Sequence, residues 1–512
     1  MVMSGVKGTE KKTFFYRILD GVERAGNKLP HPFTLFILLC AAVIAISFIA
    51  ARMELSVQHP TSGEEVIVKS LMSTEGIRYM ILNMVKNFSD FAPLGLVLTM
   101  MLGVGMAEEA GLMTAFMKKF MVWASDRMLL ISIFLVGICG NIASDAAAVI
   151  VPSIAGAIFY ATKRNPLVGI AAGYAAACAG FSANLLIAGT DALLAGITEE
   201  AAKIIDPNIT VNPTVNYYFM VASTLILTFA GVWVTNKYVI PLAGDYISKG
   251  TIKEDQNLEI TKAEKTGLRK AGIVTLVYWG LMIISLIPKN SPLRSDNGTI
   301  IPSPFISGIV PFIFLWFVIA GIAYGKAVGA IRSEADIPRL MANAMKGMAG
   351  YIVLVFVIAQ FVNYFNWTNL GMVISVTLTK ALSALNFTGL PMIIGVLIIS
   401  TIINIFIGSG SAKWALLAPV FVPMFMMLDY SPSFAQLAYR IGDSTTNAIT
   451  PLFPYFPILL GFMKKYDDSA GVGTTMSYIL PYTLVFGAVW ILQLIIWFLL
   501  ALPLGPGSSI FM

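Results

Sequence analysis

Histidine is almost absent from this sequence, since its 512 residues include only His31 and His59, and both flank the first apolar run. A histidine proton relay or a serine–histidine dyad needs a histidine beside its partner, so neither is expected within the long apolar segments. Cysteine is also scarce, and Cys40, Cys139 and Cys178 show no CxxC spacing, which argues against metal or disulfide chemistry. The sequence contains no GxxxxGK[ST] motif, which disfavours an ATP-driven pump.

Charge is scarce as well. Only 12% of the residues are charged, 57% are hydrophobic, and the mean hydropathy of +0.79 is far above that of a soluble domain. Apolar runs long enough to cross about 30 Å of hydrocarbon recur along the chain, for example at 32–51, 217–235, 305–324 and 478–502. The sequence therefore predicts a multi-pass membrane protein. No signal peptide is expected, because the first run follows a mixed segment without a cleavage pattern.

The basic residues predict the orientation of the chain in the membrane. With a cytoplasmic N-terminus, most Lys and Arg fall in cytoplasmic segments, as the positive-inside rule expects. The net charge of +6 is therefore attributed to topology rather than to an acidic partner, and no nucleic acid is expected to bind. The predicted division is a cytoplasmic tail at 1–31, a first repeat at 32–235, a cytoplasmic linker at 236–267, a linking span at 269–288, a second repeat at 305–502 and a tail at 503–512.

Matched motifs indicate that the two halves are repeats. "SDAAAVIVP" (144–152) and "SAKWALLAP" (411–419) share their Ser-to-Pro spacing, and "GFSAN" (180–184) corresponds to "GDSTTN" (442–447) with one insertion. Each half contains a short-armed hairpin (about 127–162 and 389–427) and a span interrupted by polar residues (about 166–200 and 433–462). The extra span inverts the second half. The predicted fold is all-α, with about nine transmembrane helices and two re-entrant hairpins in two inverted repeats.

A helix that is interrupted at membrane depth leaves backbone groups unpaired, so it is stable only where surrounding protein encloses the interruption. The hairpin tips and the interrupted spans therefore predict a buried polar site. Their helix ends suit an anionic substrate and a coupling cation. The predicted substrate-binding residues from the polar set are Asn141, Ser144, Asp145, Asn184, Ser411, Trp414, Arg440 and Asn447. No cofactor or resident metal is expected, although oxygen ligands near Ser144, Asn184, Ser444 and Asn447 would suit sodium.

Asp191 and Asp443 are predicted to bind and release a coupling proton, because a carboxylate at membrane depth is costly and usually functional. Three alternatives stay open. Asp191 also fits a helix N-terminus in "GTDALLAG". Arg440 and Asp443 are three residues apart, so on a helix they share a face and Arg440 could neutralise Asp443. The alternative is that Arg440 forms a bidentate pair with a carboxylate of the substrate. Trp414 either stacks on an aromatic substrate or belongs to an interfacial belt.

The motifs "GFSANLLIAGTD", "SGSAKWALLAPVFVPMF" and "RIGDSTTNAITPLFP" resemble the AbgT family of bacterial p-aminobenzoyl-glutamate transporters. The resemblance implies a homodimer in the bacterial inner membrane, with a scaffold and a transport core in each subunit. It also implies either import of p-aminobenzoyl-glutamate or efflux of sulfonamides. The family's functional positions fall on Asp191, Ser411, Trp414, Arg440, Asp443 and Pro451, with Pro432 as a hinge.

Lys413 has no counterpart in the family pattern, and the sequence leaves open whether it binds the glutamate part of the substrate or reaches the interface. The leading interpretation is a secondary transporter driven by protons or sodium, and not an enzyme. A channel or an intramembrane enzyme is the remoter alternative. The sequence indicates neither the coupling ion nor the direction of transport.

Overall fold

The computed structural model describes residues 30–60, 63–125, 128–244, 259–450 and 453–512. Helices dominate, and the only named strands in this part of the chain are β1 (Ser56–Gln58) and β2 (Glu65–Ile67), which pair antiparallel after the first helix. The first half contains α1 (Pro32–Arg52), α2 (Thr74–Ser89), α3 (Ala92–Glu109), α4 (Leu112–Val122), α5 (Leu129–Cys139), a 3-10 segment (Gly140–Ala146), α6 (Ala147–Ala161), α7 (Pro166–Ala179), α8 (Gly189–Ala202) and α9 (Tyr217–Val234).

A π-helical turn (Thr235–Val239) and α10 (Ile240–Ala243) prolong α9. The second half contains α11 (Lys262–Leu286), α12 (Pro304–Ser307), α13 (Ile309–Val328), α14 (Asp336–Gly347), α15 (Ala349–Trp367), α16 (Leu370–Ala384), α17 (Leu390–Phe406), α18 (Gly410–Met426), α19 (Pro432–Thr445), α20 (Phe456–Tyr466) and α21 (Val472–Leu499).

Seven helical segments among the described residues are long and apolar enough to cross a membrane. The interrupted pairs α7/α8 and α19/α20 bring the spans to nine. The short-armed pairs α5/α6 and α17/α18 form the two hairpins. Helices of one half pack on helices of the other, and the contacts are matched. Helix α1 of the first half packs on α15 of the second, and α13 of the second half packs on α3 of the first. The predicted all-α fold with inverted repeats is confirmed.

Local sequence explains where the broken spans begin. Pro166 and Pro432 each occupy the first turn of a helix, where a missing N–H costs nothing. Asn165 accepts a hydrogen bond from the backbone N–H of Leu167 and so caps α7. Every residue of α7 is buried, and its glycines allow close packing on α6, since a Cβ added at Gly173 would lie 2.9 Å from the Cα of Pro152.

The predicted segment boundaries differ from the helix ends at the linker. The ninth helix continues beyond residue 235 to Ala243, and α11 begins at Lys262, before the predicted start of 269. The early start has a local cause, because the Thr261 hydroxyl accepts from the Glu264 N–H and the Glu264 carboxylate accepts from the Thr261 N–H. Residues 1–29 of the predicted tail and 245–258 of the predicted linker lie outside the described part.

The predicted C-terminal tail packs back onto the bundle. Leu504 and Ile510 are buried, the Ser431 N–H donates to the Ile510 carbonyl at 2.8 Å, and the Phe219 N–H donates to the Leu504 carbonyl at 3.2 Å. The tail therefore joins the starts of α9 and α19, immediately before Pro432.

Candidate functional site

Four charged side chains lie together in the core between the two broken spans. Asp191 is 4% exposed, Lys413 1%, Arg440 1% and Asp443 5%. They form two ion pairs, Asp191 with Arg440 and Lys413 with Asp443. Buried charges of this kind are stable only when paired and hydrogen-bonded, so the two pairs are the chemical centre of the site.

The first pair joins the two repeats. Arg440 Nη2 lies 2.6 Å from Asp191 Oδ1 and donates to the Ser182 carbonyl at 3.0 Å. Asp191 Oδ2 accepts from Asn184 Nδ2 at 2.9 Å and from the Ala188 N–H at 2.7 Å. Asp191 therefore both stabilises the start of α8, as the helix-terminus alternative predicts, and neutralises Arg440. Its role in proton coupling stays a prediction. Arg440 Nε is buried and makes no hydrogen bond among the described residues.

The second pair fastens the second hairpin to the second broken span. Lys413 Nζ, near the start of α18, lies 2.6 Å from Asp443 Oδ1 on α19 and also donates to Asn404 Oδ1. The Tyr439 hydroxyl lies 3.0 Å from Asp443 Oδ1 and 2.5 Å from the Gly410 carbonyl. Lys413 is thus buried, which rules out the interfacial alternative for this conformation. Asp443 pairs with Lys413 and not with Arg440, contrary to the i, i+3 alternative.

An asparagine of each hairpin donates hydrogen bonds to backbone carbonyls of the interrupted span in its own half. Asn141 Nδ2, at the end of the first hairpin arm, donates to the Phe181 carbonyl and to the Ala183 carbonyl at 3.0 Å. Asn404 Nδ2, at the corresponding place in the second hairpin, donates to the Asp443 carbonyl and lies 2.9 Å from Thr446 Oγ1. Asn404 belongs to the polar residues that the sequence singles out in the second half but not to the predicted substrate-binding set; its "NI" lies in the last turn of α17, and the matching "NI" of Asn141 follows α5.

Trp414 is fully buried and part of a polar network. Its ring stacks on Tyr439 with centroids 4.5 Å apart and an interplanar angle of 24°. Its Nε1 donates to Thr198 Oγ1 at 2.9 Å, and Thr198 Oγ1 lies 2.6 Å from Gln436 Oε1. An interfacial belt position does not fit this burial. Stacking on a substrate stays a prediction, and it requires the hairpin to move from its position on α19.

The other predicted residues lie at or near the second break, with three exceptions. Ser411 Oγ lies 3.2 Å from Ser409 Oγ, Ser444 Oγ donates to the Arg440 carbonyl at 2.8 Å, and Asn447 Oδ1 accepts from Asn404 Nδ2 at 2.9 Å. Pro451 and the side chains of Ser144 and Asp145 lie outside the described part of the chain. No group of three His, Cys, Asp or Glu side chains that would hold a metal occurs among the described residues.

An apolar cavity of about 820 Å³ adjoins the first hairpin tip. It lies between α4 and α5 on one side and α11 and α13 on the other, and it reaches Gly140, Leu185 and Leu186 at the first break. Aromatic side chains line it, including Phe116 and Trp316. Leu185, which lines the cavity, directly follows Asn184 in the chain.

Comparison with known sequences finds transporters. The profile of the AbgT putative transporter family matches residues 17–512. The p-aminobenzoyl-glutamate transport protein of Escherichia coli strain K12 is 43% identical over 509 residues, which cover 99% of this chain and 99% of that protein.

Comparison with solved structures gives the same result. The YdaH transporter of Alcanivorax borkumensis is 36% identical to this chain, with a TM-score of 0.89, and its topology is described as unusual. The superposition covers 93% of this chain and 100% of the YdaH chain. MtrF of Neisseria gonorrhoeae, described with a class of antimetabolite efflux pumps, is 40% identical, with a TM-score of 0.90, and covers 96% of this chain and 100% of its own.

Proposed function

This chain belongs to the AbgT transporter family, and on that premise we propose that it is a secondary active transporter of p-aminobenzoyl-glutamate coupled to a proton gradient. The relative from Escherichia coli is named for that substrate. The observation that carries the coupling is the pair of buried carboxylates, Asp191 and Asp443, one beside each helix break and each matched with a buried cation. A carboxylate in such a site serves as a proton carrier when its partner moves away.

The substrate suits the site in two respects. p-Aminobenzoyl-glutamate carries carboxylates at one end and an aromatic amine at the other. Arg440 and Lys413 supply cations for the carboxylates once each has separated from its own carboxylate partner, Asp191 or Asp443. The aromatic cavity next to Leu185 and Leu186 provides an apolar path for the ring toward the first break. Movement of the hairpins against the remaining helices would expose the site to each side in turn.

The test is uptake of labelled p-aminobenzoyl-glutamate into proteoliposomes under an imposed pH gradient, with and without a protonophore. We expect accumulation that the protonophore abolishes and that Asp191→Asn or Asp443→Asn removes. Asp468→Asn, at an exposed carboxylate, is the matched control and should accumulate substrate like the wild type. Undiminished accumulation in both buried variants would refute the proton-carrier assignment, and accumulation driven only by a sodium gradient would assign sodium instead.

Efflux of sulfonamides is the second candidate, and the similarity to MtrF favours it. Sulfonamides share the aromatic amine but lack the glutamate carboxylates, so they would use the apolar cavity and Trp414 more than the cations. Sulfonamide flux out of the same vesicles, driven by protons moving inward, supports this role. Absence of sulfonamide flux in vesicles that accumulate p-aminobenzoyl-glutamate excludes it.

The placement of the protein is part of the proposal. We infer a bacterial inner-membrane location with the N-terminus and the 236–267 linker in the cytoplasm, because Lys and Arg are concentrated in these two segments. A homodimer is proposed from the family resemblance alone. Cysteine-accessibility labelling at the two chain ends in intact cells tests the orientation, and mass measurement in detergent tests the dimer.

A further inference from the structure

Lys413 is the one charged residue of the site to which the family resemblance gives no role. It lies on the second hairpin, is 1% exposed, and its ammonium is held by Asp443 Oδ1 at 2.6 Å and by Asn404 Oδ1. We propose that Lys413 exchanges its partner: when Asp443 takes up a proton, the freed ammonium binds a carboxylate of the substrate. This inference rests on the proposed function and adds to it the coupling step, which makes the proton and the anion bind together.

Charge balance is the first argument. Asp191 and Arg440 neutralise each other, and Lys413 and Asp443 do the same. A substrate carboxylate added to this closed set would introduce an unpaired negative charge into a buried site, which is costly. Proton transfer from a hydronium ion to the Asp443 carboxylate breaks one O–H bond of the donor, releases water and forms one O–H bond on Asp443, and it leaves the Lys413 ammonium as an unpaired buried cation. One of the two carboxylates of the incoming substrate then pairs with this ammonium.

The neighbouring groups permit this exchange. Tyr439 has a single hydroxyl proton but two acceptors in reach, Asp443 Oδ1 at 3.0 Å and the Gly410 carbonyl at 2.5 Å. When Asp443 is neutral, Tyr439 keeps its bond to Gly410, so no donor is lost. Gly410 lies directly over the carboxylate, because a Cβ added there would be 3.2 Å from Asp443 Oδ2. The hairpin tip therefore has to shift before an anion reaches Lys413.

Other titratable groups near Asp443 do not replace Lys413 in this role. The helices that pack on α19 are α7, α8, α17, α18 and α21. Among their described residues α17 has no titratable side chain and α18 has only Lys413. The remaining ones are Asp191, Glu199 and Glu200 on α8, Tyr174 and Cys178 on α7, and Tyr478 and Tyr482 on α21. Arg440, the other cation on α19, is already held by Asp191.

The test measures binding of p-aminobenzoyl-glutamate to the full-length purified protein by calorimetry, near pH 6 and near pH 8, in buffers of different ionisation enthalpy. For the wild type we expect uptake of about one proton per ligand and affinity about 10-fold or more weaker at the higher pH, because coupling between two ligands is reciprocal. Sulfanilamide, which has the aromatic amine but no carboxylate, should bind without linked proton uptake.

The variants separate this inference from a structural role of the pair. Asp443→Asn leaves Lys413 free and should bind with similar affinity at both pH values and without proton uptake. Lys413→Met/Asp443→Asn removes both charges, which avoids an unpaired buried carboxylate, and should bind at least about 10-fold more weakly than Asp443→Asn. Lys346→Met, at an exposed lysine of α14, is the control and should behave like the wild type.

Two results overturn the inference alone: wild-type binding without a linked proton, and equal affinity of Asp443→Asn and the double variant. Absence of p-aminobenzoyl-glutamate binding to the wild type at both pH values overturns the proposed substrate and this inference with it.

Discussion

Replacing Asp191 with asparagine removes the negative charge that faces Arg440 across the two repeats. The introduced amide oxygen still accepts the Ala188 N–H, so the start of α8 keeps its stabilising bond. Arg440 keeps only the Ser182 carbonyl, at 3.0 Å, as a described partner. Breaking a buried pair by removing one partner costs about 3–5 kcal/mol, and we expect Asp191→Asn to lie near the upper end of that range.

Replacing Arg440 instead of Asp191 should lower the free energy of unfolding by a smaller amount. Arg440→Met leaves the Asp191 carboxylate with two donors, Asn184 Nδ2 at 2.9 Å and the Ala188 N–H at 2.7 Å. Its cost is therefore expected near about 3 kcal/mol. The double variant Asp191→Asn/Arg440→Met removes both charges and should be more stable than either single variant, with a coupling free energy of about 2–3 kcal/mol.

The assay is reversible denaturant unfolding of the purified protein in mixed micelles, with the free energy of unfolding determined for the four proteins of the cycle. Glu200→Gln is the control, because Glu200 pairs with Lys203 at 3.1 Å on a partly exposed surface, and such pairs contribute about 0–1 kcal/mol. Additive losses, or a loss below about 1 kcal/mol for Asp191→Asn, would refute the conclusion that this buried pair holds the two repeats together.

Three further changes test the packing and the electrostatics around the site. Gly442→Ala places a Cβ 2.6 Å from the Leu397 carbonyl and should lower the free energy of unfolding by about 1–3 kcal/mol, whereas Gly461→Ala, which meets nothing within 4 Å, should not. Thr198→Val leaves the buried Trp414 N–H without its acceptor and should cost about 1–3 kcal/mol in the same assay, while Thr198→Ser should be neutral. Hydrogen bonds from the Arg332 and Ser333 backbone N–H groups lower the pKa of Asp336 in the folded protein. Their contribution to stability is therefore complete at pH values above the pKa of Asp336 in the unfolded chain, and it is lost as the pH falls through the lower pKa of the folded protein. We expect faster amide exchange at residues 332–333 in Asp336→Asn, and unchanged exchange would contradict this.

The architecture was predictable because its signals are local. An apolar run, a polar interruption or a proline at a helix start each acts within a few residues, and the same signals recur in both halves at Pro166 and Pro432. The matched Ser-to-Pro spacing of the hairpins then indicates the repeats. The helix ends near the linker were less predictable, because the Thr261–Glu264 capping box lies in a charged segment outside the apolar run.

The pairing of the charges was not predictable in the same way. Sequence spacing suggests that Arg440 and Asp443 face each other, since they are three residues apart on one helix. In the structure each has a partner on another helix at 2.6 Å, Asp191 on α8 and Lys413 on α18. Which of these contacts forms depends on how α19 is rotated between its neighbours, among them α17, whose Leu397 carbonyl lies only 2.6 Å from where a Cβ at Gly442 would be. No local pattern encodes it.

The position of α19 between these partners has a consequence for transport. Its two charges of opposite sign face different elements: Arg440 holds the first broken span, and Asp443 holds the second hairpin. Movement of the second hairpin away from α19 breaks the Lys413–Asp443 contact and does not by itself break the Asp191–Arg440 contact. Protonation of Asp443 lowers the cost of that movement, whereas protonation of Asp191 weakens the contact between the two repeats. The two carboxylates are therefore not equivalent, and we expect proton binding at Asp443 to release the hairpin and proton binding at Asp191 to loosen the contact between the halves.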